Sequence, residues 1–247
     1  VYKRQLYLRT QLSERYAYTT CNRMLSAVRK VLHNCFVQGL MTSDDYMRTK
    51  STLTNVKGTK QLTGRRVSPE EIEALLSYSS NNPAIDARNR ALVMVMYSCA
   101  LRRSEVANLQ LEDVDLDRLT VRVVGAKGNK TQDMFISARV ASYIQDWIKH
   151  RGTEPAAIIL GIKITRELTS ALSDRGVSKV LATMATKAGV NKFSSHDLRR
   201  SGITTVLENK GVGVAQTYAR HSDAKTTLAY NRSINIEKDL TEASELF

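Results

Sequence analysis

The stretch SSHDLRRS places His196 and Arg199 three residues apart, directly after Ser194 and Ser195. Serine is a favoured helix N-cap, and residues three apart lie on one helix face, so both side chains are expected to project from the first turn of a helix. A helix N-terminus also favours anions. The pair therefore indicates an anion-binding face, although a histidine at a helix start is more often a structural residue.

Two more basic residues stand where the chain could hold them rigidly. Arg102 follows a long apolar stretch and precedes a helix start at Ser104, beside free backbone donors. Lys127 lies in the turn of a predicted β-hairpin. The alternatives are a surface cap for Arg102 and a solvated turn residue for Lys127. The segment GAKGNKT is not a P-loop, because it lacks the GxxxxGK[ST] spacing and lies between strands.

His221 and Tyr230 stand nine residues apart in HSDAKTTLAY. Taken alone, Tyr230 and Leu228 indicate apolar contacts of a short helix that begins at Asp223. A tyrosine hydroxyl, whose unperturbed pKa is about 10, becomes a nucleophile only with electrostatic activation and a base. Whether Tyr230 packs or reacts thus depends on which residues accompany it.

Together these motifs resemble the tyrosine recombinase and phage integrase family. The sequence LRRSE, the lysine in VVGAKGNKTQ, HDLRRS and RHSDAKTTLAY follow the family order Arg, Lys, His-x-x-Arg, His and Tyr, over residues 68–232. The resemblance implies six catalytic residues: Arg102, Lys127, His196, Arg199, His221 and Tyr230. The chain departs from the family at two positions, with Arg200 where many relatives have His and Arg220 where many have Gly.

For the phosphate, the resemblance implies binding without a metal ion. Arg102 and Arg199 would donate to the non-bridging oxygens and neutralise the phosphorane-like transition state. His221 would orient the phosphate by hydrogen bonding. No metal, nucleotide or other cofactor is expected.

For the bond change, the resemblance implies attack by tyrosine. Tyr230 would attack the phosphorus with His196 as its base, and Lys127, on a mobile turn, would protonate the leaving 5′ oxygen. The resulting 3′-phosphotyrosine keeps the energy of the phosphoester. A 5′ hydroxyl of another strand can therefore reverse the reaction.

Positive charge is concentrated in the first quarter of the chain. The 247 residues include 37 Lys and Arg against 24 Asp and Glu, a net charge of +13. Residues 1–66 hold 13 basic and 3 acidic residues, a net +10, and residues 67–247 hold 24 and 21, a net +3. This segregation favours a polyanionic partner, with nucleic acid first and an anionic membrane surface second, over a solubilising face of mixed sign.

Ten basic residues are candidates for DNA contact, either in the basic N-terminal segment or beside the six catalytic residues. They are Arg23, Arg29, Lys30, Lys57, Lys60, Arg65, Arg66, Lys130, Arg200 and Arg220. The partner implied by the resemblance is double-stranded DNA.

Cysteine and histidine spacing gives no sign of a metal site. Cys21, Cys35 and Cys99 lie far apart with no CxxC, and the four histidines lack zinc-type spacing. The longest apolar run, residues 91–101, is too short to span a bilayer. A reduced, cytoplasmic and nucleoid-associated protein of a prokaryotic or viral host cell is expected, without a membrane partner.

Hydrophobic periodicity predicts a fold that is mainly α with one small antiparallel β-sheet. Ser68, Pro69 and Glu71 form a strong helix start. The hairpin strands flank AKGN, and several short helices are expected from Ser195 onward. Further helices are predicted over residues 13–40 (basic, amphipathic and stopped by Gly39), through residue 99, over 138–151 and over 177–188.

The expected organisation has four segments. Residues 1–50 form part of the helical core-binding domain, 51–67 a basic linker, 68–232 the catalytic domain, and 233–247 an acidic amphipathic tail. Because that family domain has about four helices, ~50 residues can hold only part of it, and with Val1 at the start the chain is expected to be a fragment. Relatives often pass the tail to a neighbour, which predicts a dimer to tetramer on DNA.

Two other functions fit part of the pattern. A non-enzymatic DNA-binding regulator or accessory factor explains the basic N-terminal third but not the six residues in family order. A type IB topoisomerase shares the nucleophile and much of the site. The compact size, the short hairpin and HSDAKTTLAY favour the recombinase.

Overall fold

The computed structural model describes residues 2–58, 64–125, 131–154, 156–163, 165–221 and 224–228. The chain divides into two compact units, residues 1–63 and 64–247. Among the described residues, helices predominate and the strands form two small antiparallel sheets. The predicted class, mainly α with a small antiparallel sheet, is confirmed.

Three helices make up the described part of the first unit: α1 Tyr2–Arg15, α2 Tyr18–Val37 and α3 Ser43–Thr52. The helix predicted over 13–40 is interrupted at Ala17, which is extended (φ −53°, ψ 142°) and separates α1 from α2. Gly39, at φ +71°, follows the end of α2 as predicted. Cys21, Leu25 and Leu53 are fully buried at the centre of this unit.

The first residues of the expected linker, 51–67, are packed into the first unit. α3 continues through Thr52, and the next residue, Leu53, is fully buried. The side chain of Asn22 bonds both the N–H (2.7 Å) and the carbonyl (3.0 Å) of Val56. Arg29 donates to the carbonyl of Leu53 at 2.5 Å. The lack of apolar periodicity here reflects a short loop held by polar side chains.

The first helix of the second unit begins at the cap that the sequence predicts. Ser68 Oγ accepts the N–H of Glu71 at 3.3 Å, and the Glu71 carboxylate accepts the N–H of Ser68 at 2.9 Å, so the predicted cap is a full capping box. Just before it, the N–H of Val67 donates to Ser201 Oγ at 2.8 Å, so the end of the expected linker belongs to this unit. Its described helices are α4 Pro69–Ser77, α5 Pro83–Ser98, α6 Arg103–Asn108, α7 Ala138–Arg151, α8 Asp174–Lys187, α9 Ser195–Ala219 and α10 Ala224–Leu228.

Helix α5 forms the centre of the second unit. It packs against α4, α6, α7, α8 and α9, and its residues 91–96 are all buried. Helix α7 has the predicted bounds and contributes Trp147, which is fully buried and donates from its indole to the carbonyl of Ile158 at 2.7 Å.

The strands are β1 Val114–Asp115, β2 Thr120–Val124, β3 Thr131–Phe135, β4 Leu160–Ile162 and β5 Leu168–Ala171. The predicted hairpin consists of β2 and β3, with Val121 opposite Met134. Strand β1 pairs with the other edge of β2. β4 and β5 form a second hairpin that the sequence pattern did not predict.

The region from Ser195 contains several helical segments, as expected, because α9 is divided within its length and α10 follows it. The two helical segments of α9 meet in a kink at Gly211, whose φ of +77° and ψ of 176° are not helical. Because of this break, the residues near Ala219 return toward the start of α9. Within the described ranges, no helix is long and apolar enough to cross a membrane.

Candidate active site

Arg102 stands at the turn between α5 and α6. It is the N-cap of α6, with an extended backbone (φ −71°, ψ 155°). Its N–H donates to Glu105 at 2.7 Å, and its Nη1 donates to the same carboxylate at 2.5 Å. The side chain is 44% exposed, so a guanidinium oriented by Glu105 still faces solvent.

Glu105 is the anionic centre of the site and was missed in the sequence analysis. Its side chain is 1% exposed, and it also accepts from Arg220 Nη2 at 2.8 Å and lies 3.8 Å from Arg199 Nη1. Burial opposes its charge, but Arg220 and Arg102 hold the pKa of this carboxyl below its ordinary value. The Arg-x-x-Glu spacing at a helix start was the available signal.

Arg199 projects from the second turn of α9 into the protein. Of the two serines expected as the cap, Ser194 and Ser195, it is Ser194 that caps this helix, in a capping box with Asp197. The Arg199 side chain is 2% exposed and donates to the carbonyl of Ala100 after α5 and, at 2.5 Å, to that of Ala219 at the end of α9. It therefore joins the start of α9 to the C-terminal ends of two helices.

His221 follows α9 and contacts Arg199. Arg199 Nη2 lies 3.3 Å from His221 Nε2, and Thr227 Oγ1 on α10 lies 2.9 Å from Nδ1. A guanidinium only donates, so Nε2 accepts and Nδ1 carries the proton. Partial burial, and then Arg199 and Arg102, lower the pKa of His221 to about 4.

His196 lies on the first turn of α9 and is exposed to solvent. Partial desolvation of the ring and the nearby guanidinium groups of Arg199 and Arg200 lower its pKa, against the opposing effect of Asp197. A lowered pKa keeps the imidazole neutral near neutral pH, which is the form that can accept a proton.

Arg220, an expected DNA contact, has a largely buried side chain. Its side chain is 8% exposed, and its guanidinium donates to the carbonyls of Cys99 and Ala100, both at 3.0 Å, as well as to Glu105. Its backbone is left-handed (φ 56°, ψ 43°), which costs a non-glycine residue about 1–2 kcal/mol. Like Arg199, Arg220 is thus engaged by acceptors within the second unit, and a DNA contact at Arg220 stays a prediction.

Three other predicted DNA-contact arginines are engaged within their own unit. Arg65 donates to Glu71 at 2.6 Å and to the carbonyls of residues 66, 191 and 192. Arg66 forms a bidentate pair with Glu208 at 2.7 and 2.8 Å. Arg29 holds the 53–55 loop. These contacts compete with binding to DNA phosphates.

The remaining described candidates are Arg23, Lys30 and Lys57, which are exposed, and Arg200, which is half-buried on the second turn of α9. The first three belong to the basic N-terminal unit. Lys60, Lys127, Lys130, Tyr230 and the tail, 233–247, lie outside the described residues. Four of the six predicted catalytic residues are therefore described.

The site brings these four residues together from separated parts of the sequence. Arg102 comes from the α5–α6 turn, His196 and Arg199 from the start of α9, and His221 from the segment after α9. Cationic donors converge at one place on the second unit, where they could hold a phosphodiester.

The chain is similar in sequence to known proteins. Residues 65–235 match the sequence model of the phage integrase family. Tyrosine recombinase XerC of Halalkalibacterium halodurans is 31% identical over 232 residues, covering 91% of this chain and 74% of the relative. XerC of Histophilus somni is 30% identical over 211 residues, covering 83% and 68%.

The fold is also found among solved structures. A lambda integrase dimer bound to a COC′ core site superposes with a TM-score of 0.70 at 13% identity, covering 95% of this chain and 81% of the other. Since the family match spans well over half of the sequence, the chain belongs to the phage integrase family of tyrosine recombinases.

Proposed function

We propose that this chain is a site-specific DNA recombinase that cuts and rejoins strands through a covalent 3′-phosphotyrosine. The observation that carries the proposal is the convergence of Arg102, Arg199 and His221 above one buried carboxylate, Glu105. Such a cluster can bind and polarise one phosphate while the rest of the duplex stays outside. The family membership supports the same reaction.

Arg102 and Arg199 are the groups proposed to bind the non-bridging oxygens. Arg102 is partly exposed and held by Glu105, whereas Arg199 is held by carbonyl oxygens at two helix ends. Donors fixed before the substrate arrives need little reorganisation when charge develops on the phosphorane. His221 is proposed to donate from Nε2 to the same phosphate, after Arg199 exchanges its bond to Nε2 for a phosphate oxygen and a proton moves to that nitrogen.

The covalent step is proposed to be an exchange of one phosphoester for another. The Tyr230 oxygen bonds to phosphorus as the bond to the 5′ oxygen breaks. His196 accepts the phenolic proton, and Lys127 supplies the proton that makes the leaving group a 5′ hydroxyl. The reverse sequence with the 5′ hydroxyl of another strand rejoins the DNA.

The test uses nicked suicide duplexes whose sequences are selected by the full chain from a random DNA library. Wild-type protein is expected to form an adduct that survives denaturation, and Tyr230→Phe is expected to abolish it. The matched control is Tyr143→Phe, because Tyr143 lies on α7, a helix that carries none of the proposed site residues. An adduct that persists in Tyr230→Phe would show that another group is the nucleophile.

We also propose that the chain assembles on double-stranded DNA, with residues 1–50 as part of a core-binding domain. The lambda integrase neighbour is described as a dimer on its core site, which supports assembly of this kind. The acidic amphipathic tail, 233–247, is proposed to join neighbouring protomers. Deletion of 236–247 should reduce the higher complexes in native electrophoresis without loss of single-protomer binding, and unchanged assembly would contradict the proposal.

A further inference from the structure

Arg220, the residue before His221, has an unusual backbone conformation. Arg220 occupies the left-handed region at the end of α9, where glycine is favoured because it has no Cβ. An arginine is held there by contacts of its side chain. Those contacts all lie on the α5–α6 side of the site.

The contacts of Arg220 are shared with the proposed phosphate-binding residues. Its Nη2 donates to Glu105 Oε2, the oxygen that also accepts the N–H of Arg102. The same Nη2 donates to the carbonyl of Ala100, which also accepts from Arg199. Arg220 therefore touches one acceptor of each phosphate-binding arginine.

We propose that Arg220 is a positioning residue for strand cleavage, which holds Arg102 and Arg199 in place through Glu105 and the Ala100 carbonyl. This inference rests on the proposed function, because it assigns those two arginines to the scissile phosphate. It is an alternative to the expectation that Arg220 itself contacts DNA.

Charge balance gives the reason that a cation is needed at this position. Glu105 is buried, and Arg102, Arg199 and Arg220 surround it. With Arg220 present, one guanidinium can neutralise Glu105 and two positive charges remain for the phosphate. Without it, Glu105 draws Arg102 and Arg199 toward itself, away from the phosphate oxygens.

The test compares Arg220→Gly and Arg220→Lys with the wild type. Glycine suits the left-handed backbone and is expected to preserve folding, but it removes every side-chain contact. Lysine keeps the charge but cannot reach all three acceptors from one ammonium group. Arg118→Ala is the control, because this substitution also removes one positive charge from the protein. Arg118 lies in the β1–β2 turn, where its side chain is 84% exposed and pairs with Asp115.

The measurements are the single-turnover cleavage rate on a saturating suicide duplex, DNA affinity at several salt concentrations, and thermal unfolding. Arg220→Gly is expected to cleave roughly tenfold to a hundredfold more slowly while the affinity and its salt dependence stay unchanged, since small displacements of catalytic groups have effects of this size. Arg220→Lys should fall between Arg220→Gly and wild type, and Arg118→Ala should match wild type.

The outcomes separate three explanations. A wild-type cleavage rate in folded Arg220→Gly would overturn the positioning role. Lower affinity with a shallower salt dependence would overturn it in favour of direct DNA contact. If Arg220→Gly does not fold, the test rests on Arg220→Lys. A wild-type cleavage rate in that variant would also overturn the positioning role. If wild type forms no adduct on the selected DNA, it is the proposed function that fails.

Discussion

His221 is held neutral in the free protein by the groups that surround it. Arg199 lies at Nε2 and Thr227 at Nδ1. Partial burial of the ring, and then the charges of Arg199 and Arg102, lower the pKa of His221 to about 4. A second proton would have to enter a partly buried ring beside three arginines. The arriving phosphate changes this balance, because it brings negative charge to the position that Arg199 occupies in the free protein.

We predict that His221 in the free protein titrates near pH 4 as the tautomer protonated at Nδ1. The unfolded chain binds its proton near pH 6.5. The stability due to neutral His221 is therefore fully present above about pH 6.5 and is lost as the pH falls toward 4. Nitrogen NMR of the labelled ring gives the tautomer and the midpoint.

Denaturant unfolding at several pH values tests the linkage independently. His221→Gln should lack this part of the pH dependence, because glutamine does not titrate. A midpoint of about 6.5 for His221, or equal pH dependence of the two proteins, would contradict the prediction.

At the scale of the elements, helix ends build the site. The carbonyls of Cys99, Ala100 and Ala219, which bind Arg199 or Arg220, lie just after α5 or at the end of α9. The last carbonyls of a helix have no intrahelical donor and carry partial negative charge, so guanidinium groups satisfy them well. These two arginines are thus held by backbone carbonyls together with the buried carboxylate of Glu105.

Close approach of α5 and α9 brings these helix ends together. Gly202 lies so near the carbonyl of Tyr97 that an ideal Cβ would stand 2.1 Å from its oxygen. Tyr218 donates to the carbonyls of Tyr97 and Ser98 from the second segment of α9. With the break at Gly211, these contacts place both ends of α9 against the end of α5.

Local signals predicted most of the elements but few of their contacts. The capping boxes at Ser68 and Ser194 and the bounds of α7 follow from residues within one or two turns. The engagement of Arg65 with residues 191 and 192, and of Arg220 with Glu105, joins positions more than 100 residues apart. The residues next to a basic residue in the sequence do not show whether its side chain binds DNA or a carbonyl group far away in the chain.

At the scale of the whole molecule, the structure divides the basic residues into two kinds. Arg29, Arg65 and Arg66 have intramolecular acceptors, whereas Arg23 and Lys30 on α2 are exposed. The net charge of the first 66 residues is +10, with only three acidic residues to offset it. Exposed cations on such a unit are available to release counterions from DNA, and engaged cations are much less so.

We predict that Arg23→Ala with Lys30→Ala weakens DNA binding and makes it less sensitive to salt. Each lost phosphate contact lowers the slope of log affinity against log salt by about 0.9, so the pair should lower it by roughly 2. The matched control replaces Lys149 and Lys163 by Ala, because both are exposed and paired with acidic neighbours in the second unit. Fluorescence anisotropy on one duplex across a salt series measures all three proteins. If the α2 variant kept the wild-type slope, the exposed cations of the first unit would not be the ones that meet the phosphates.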